Sequence, residues 1–75
     1  MGKGRKLMEN EILLYVDGMR GRRSEQKIAR AIEKMPGLEM VVVNAGNGTV
    51  NVTGGDIDLL AVVDAIESAG YRVTR

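Results

Sequence analysis

The chain has 75 residues, 44% of them apolar, a formal net charge of +1, and neither cysteine nor histidine. With two Tyr and no Phe or Trp, that length fits one small domain around a single aliphatic core. The composition excludes disulfides, thiolate metal sites and imidazole ligands; no run has transmembrane length or signal-peptide form, so a cytoplasmic location is expected. Charge is unevenly spread. Residues 1–30 hold eight Lys/Arg against four Asp/Glu, and residues 31–75 hold three against six. The basic charge gathers in a tail (Lys3, Arg5, Lys6) and in a loop (Arg20, Arg22, Arg23). Residues 1–10 are expected to form a flexible basic leader and residues 11–75 the domain.

In chain order, "EILLYVD" (11–17) alternates Ile12, Leu14 and Val16 with Leu13 and Tyr15, which predicts a strand with one strongly apolar face. Gly18 breaks it. From Ser24 to Met35 the spacing of Ile28, Ile32 and Met35 predicts an amphipathic helix, with Ser24 as its N-cap and Pro36-Gly37 as its stop. Glu25, Lys27, Arg30, Glu33 and Lys34 are expected on its outer face. "LEMVVVNA" (38–45) and "TVNVT" (49–53), separated by Gly46-Asn47-Gly48, predict a hairpin. A second helix, capped by Asp56 or Asp58 and running to about Ala69, would bury Leu59, Val62, Val63, Ile66 and Ala69. Gly70 suits the position just past its end, and "YRVT" (71–74) predicts a short last strand. The order β-α-β-β-α-β predicts an α+β, ferredoxin-like fold: a four-stranded antiparallel sheet with both helices on one face and the first and third strands central.

The residues "VDGM", "MPGL", "VVVN", "VNVTG" and "AIESAGYRV", at these separations, resemble the heavy-metal-associated domain, over about residues 11–74. This is the fold of small copper chaperones, of the periplasmic mercury-binding protein and of the N-terminal modules of metal-pumping ATPases. The resemblance implies a metal loop of pattern GMxCxxC, whose two thiolates hold one soft ion. Here Gly18 and Met19 match the GM, but the two cysteine positions are Gly21 and Ser24. Neither supplies a thiolate, so the family's ligands do not carry over. The resemblance places Met19 under the loop as a packing residue, and Tyr71 beside the loop with its hydroxyl reaching solvent near Ser24.

What the loop offers instead is positive charge. Arg20, Arg22 and Arg23 beside a helix N-terminus are candidate contacts for an acidic protein surface or an oxyanion. Other activities lack their residues. Base stacking on an RNA-binding sheet needs aromatics that are missing, and Ser24 has no histidine to activate it. No nucleic-acid, membrane, enzymatic or cofactor role is implied, and a monomer is expected. The reading is a non-enzymatic interaction module with a degenerate metal site; the alternative is weak or partner-assisted heavy-metal binding, as in a copper chaperone.

Overall fold

A computed structural model of the chain describes residues 10–74. The leader expected over residues 1–10 lies outside the described residues, except that Asn10 already belongs to the first strand. The elements are β1 (Asn10–Asp17), α1 (Gly21–Glu33), β2 (Leu38–Asn44), β3 (Thr49–Gly54), α2 (Leu59–Ser68) and β4 (Arg72–Val73). They form one sheet of order β2-β3-β1-β4, antiparallel throughout, with β1 and β3 central as the topology predicts. The two helices lie side by side on one face, α1 toward β2 and α2 toward β4.

Period-two alternation decides which side chains reach that helical layer. Leu14 and Val16 of β1 and Val50 and Val52 of β3 point inward and are buried. They meet Ile28 and Ile32 of α1 and Val62 and Ile66 of α2 in one aliphatic cluster. Leu13, Tyr15, Met40 and Val42 occupy the other face of the sheet, about half exposed. Six Ile and Val side chains are fully enclosed, each contributing about 1.5–3 kcal/mol of burial.

Two sequence expectations give way at the helix starts. The helix expected over 24–35 runs instead over Gly21–Glu33 with Arg20 at the N-cap, so Ser24 is its fourth residue rather than its cap. In α2 the cap is Asp58, whose Oδ1 accepts the N–H groups of Leu60 (3.0 Å) and Ala61 (3.4 Å). That cap puts Leu59 first in the helix, where it is 46% exposed rather than buried. Ile57, the residue before the cap, packs against the core in its place, as the hydrophobic staple arrangement favours.

The end of the sheet remote from loop 18–20 is closed by a tight crossing. Glu39 forms a bulge opposite β3, and the Gly55 N–H donates to the Gly37 carbonyl at 3.0 Å. A Cβ added at Gly54 would collide with the carbonyl oxygen of Gly37 and lie 2.8 Å from Ile57 Cδ1. Only glycine leaves room for the two segments to meet there.

Candidate functional site

Four segments converge at the opposite end. β1 delivers the loop Gly18–Arg20, which feeds directly into α1. The β2–β3 hairpin lies beside it, because Tyr15 pairs with Thr49 and the Val16 N–H donates to the Gly48 carbonyl at 2.8 Å. The turn from α2 into β4 completes the cluster. Its geometry follows from Gly70, whose φ of +101° lets the chain reverse after Ala69. The Gly70 N–H then donates to the Glu67 carbonyl (3.0 Å) and the Tyr71 N–H to the Ile66 carbonyl (3.3 Å). This is the paired bonding of a Schellman ending, and it swings the Tyr71 ring alongside Gly18.

Ser24 is the hub of this end. It is the sole buried polar residue among the described ones, 7% exposed. Its Oγ accepts the Arg20 N–H at 2.9 Å and the Tyr71 hydroxyl at 3.1 Å. The Ser24 hydroxyl in turn donates to the Arg20 carbonyl at 3.4 Å. Both acceptor sites and the donor of a serine are therefore engaged within the protein. Lys27 completes the setting from α1, with its Nζ 5.8 Å from the Tyr71 ring centroid, a weak cation–π contact.

Glu25 departs from its expected place on the outer face of α1. It is half-buried, and its Oε2 accepts the Ala45 N–H at 2.8 Å, tying α1 to the hairpin. No sequence signal marked this contact, because the Ala45 N–H that it meets lies 20 residues further on, in the hairpin.

The donor set does not suit a soft cation. Gly21 has no side chain, Ser24 Oγ is committed, and the Met19 thioether is half-buried against the core. No cluster of three His, Cys, Asp or Glu occurs among the described residues. Gly21 also has φ of +69°, although a side chain there would meet nothing within 4 Å. Backbone conformation, not space, is what favours glycine at this position.

Arg20, Arg22 and Arg23 are exposed around the start of α1, which has no side-chain cap and no acidic residue in its first turn. Unpaired backbone N–H groups and the helix dipole already make this end positive. Acidic residues normally stabilise such an end, whereas here it carries cations.

The fold and this end of it define a small α+β module built around a strand-to-helix loop. The heavy-metal-associated domain matches residues 13–72, and the chain belongs to that family. Among solved structures, a CopZ metallochaperone is 30% identical, with TM-score 0.83, over 87% of this chain and 100% of its own. The N-terminal domain of PacS from Synechocystis is 33% identical, with TM-score 0.74, over 85% and 92% of the two chains. The water-soluble region of the P-type ATPase CopA from Bacillus subtilis is 31% identical, with TM-score 0.78, over 87% of this chain and 44% of its own. No curated protein sequence matches the chain. No helix among the described residues is long and apolar enough to cross a membrane.

Proposed function

We propose that this chain is a non-enzymatic docking module that keeps the heavy-metal-associated scaffold, has given up the soft-metal site, and recognises an acidic protein surface through its loop end. One observation carries the reading. Arg20, Arg22 and Arg23 are exposed at an uncapped helix N-terminus with no acid in its first turn. Each cation there opposes the helix dipole, typically at about 0.3–1 kcal/mol. A local arrangement that works against stability is expected where function requires it. A cytoplasmic setting, where acidic protein surfaces are plentiful, belongs to the same reading.

The experiment separates binding from stability. A poly-glutamate peptide titrated into the labelled protein at low salt should shift amides of residues 19–26 and Tyr71, and added salt should reverse the shifts. Arg22→Glu with Arg23→Glu should abolish them while stabilising the isolated domain by roughly 0.3–1 kcal/mol per site. Silent loop amides, or a double variant that is less stable and still binds, would refute the proposal.

The second reading is residual or partner-assisted soft-metal handling, favoured by the likeness to a metallochaperone along that protein's whole length. It requires the chain, alone or with a partner's thiolates, to hold Cu(I) against a modest chelator. With no thiolate and no imidazole in the sequence, the isolated chain is expected to lose that competition.

A further inference from the structure

The two helices carry opposite charge on their solvent sides. Over residues 20–34, six Lys/Arg stand against two Glu, whereas residues 56–70 hold Asp56, Asp58, Asp64 and Glu67 with no Lys or Arg. The surplus is +4 on one helical segment and −4 on the other. On α1, Arg23, Lys27 and Arg30 follow the spacing of a single helical stripe that Lys34, at the C-cap, extends; Arg23, Lys27 and Arg30 with Gln26 line one shallow groove. On α2, Leu60, Asp64 and Glu67 follow the same kind of spacing and, with Asp58, line the matching groove. Leu60 is 76% exposed, the most exposed large hydrophobic side chain among the described residues.

We infer that the helical layer binds a second copy of this chain, the α1 stripe of each copy lying over the α2 groove of the other. A two-fold axis running along the helices and between them generates this contact, and it satisfies both stripes at once, as an isologous interface must. The register fits. α1 starts at the loop end of the molecule and α2 finishes there. In the pair, Arg23 and Lys27 come level with Glu67 of the other copy, Arg30 with Asp64 and Lys34 with Asp58. The basic stripe spans about 16 Å and the acidic one about 14 Å at the helical rise per residue. The facing helices are antiparallel, so the positive end of each α1 dipole lies over the negative end of an α2. Leu60 contributes the apolar contact.

The contact is small. Two helices of this length and width cover about 400 Å² per copy, short of the roughly 800 Å² per partner of a stable interface. The dimer is therefore transient, formed at high protein concentration and low salt, and a dilute sample should be monomeric. Arg20 and Arg22 stand outside the contact, which leaves the loop end free for a different partner.

Sedimentation equilibrium of the whole chain tests this. In about 20 mM salt the mass should rise toward that of two copies as concentration approaches the millimolar range, and about 500 mM salt should weaken association at least tenfold. Lys27→Glu with Arg30→Glu makes both helices acidic, and Asp64→Lys with Glu67→Lys makes both basic. Each variant alone should stay monomeric, and an equimolar mixture of the two should associate at least as tightly as the parent. Circular dichroism confirms that each is folded, and a chain carrying all four changes should again self-associate. Arg20→Gln with Arg22→Gln should lose poly-glutamate binding and keep the dimer, so the loop reading and this one can fail separately. A chain monomeric under every condition, or a dimer indifferent to the reversals, overturns the inference. So does a monomeric parent that dimerises only when residues 1–9 are removed, which would mean that the basic leader covers the acidic groove.

Discussion

Ser24 does with hydrogen bonds what a bound ion would do in a metal loop: it fastens the strand-to-helix connection to a distant part of the chain. Its partner Tyr71 is 47 residues away in sequence, so this one contact closes the loop end across the helical layer. Tyr71→Phe keeps the ring and deletes the bond, and should lower stability by about 0.5–1.5 kcal/mol. The midpoint of a urea transition should fall with its slope unchanged, and amide exchange at Arg20 and Gly21 should quicken. An unchanged midpoint would mean that the hydroxyl serves the fold no better than solvent does. At this scale the sequence was informative where a side chain has one natural use. Met19 reads as a packing residue and does pack. It was uninformative where a polar side chain chooses among partners. Ser24 matches a helix cap by composition, yet the chain enters α1 three residues earlier, so its hydroxyl turns back to Arg20 and across to Tyr71.

For the elements, the two helices contrast in how they begin. α2 opens on Asp58, two bonded N–H groups and an apolar residue on either side of the cap, so several local signals agree. α1 opens on an arginine with no side-chain cap and with glycine as its first residue. The weaker signals at α1 explain why Ser24 reads as its cap although the helix begins three residues earlier, whereas the α2 cap falls on Asp58, one of the two aspartates that suit it. The exposed Leu59 has the same origin: with Asp58 as cap, the inward-facing positions of the first turn shift by two residues and Ile57 takes the core site. Asp58→Ala should destabilise the domain by about 1 kcal/mol, measured by thermal or urea unfolding, with the first turn of α2 losing exchange protection before the rest. A loss confined to less than a few tenths would show that packing of Ile57, not the cap, sets where α2 begins.

For the whole molecule, periodicity made the elements and their apolar faces legible, and the β-α-β-β-α-β order with right-handed crossovers placed β1 and β3 in the centre and both helices on one face. The core rests on few residues. Ile32, on α1, is fully buried in the cluster between the helices and the sheet, so Ile32→Ala should cost about 2–5 kcal/mol. That is a large share of what a domain of this size has available, so the variant should unfold near physiological temperature. A shift of only a few degrees in the unfolding midpoint would indicate a core that closes around the gap. What periodicity could not reveal was the crossing at Gly37 and Gly54, which depends on two backbones meeting and leaves no trace in hydropathy.

The left-handed backbone at Gly21 sets what it would take to place a thiolate pair on this loop. A cysteine at position 21 would have an open space to occupy, but on a backbone that costs an ordinary residue about 1–2 kcal/mol. A cysteine at position 24 would exchange a bonded hydroxyl for a thiol that hydrogen-bonds poorly to Arg20 and Tyr71. Neither single change yields a pair of thiolates, and each should make the domain less stable, so in Gly21→Cys with Ser24→Cys the bound ion has to offset both costs.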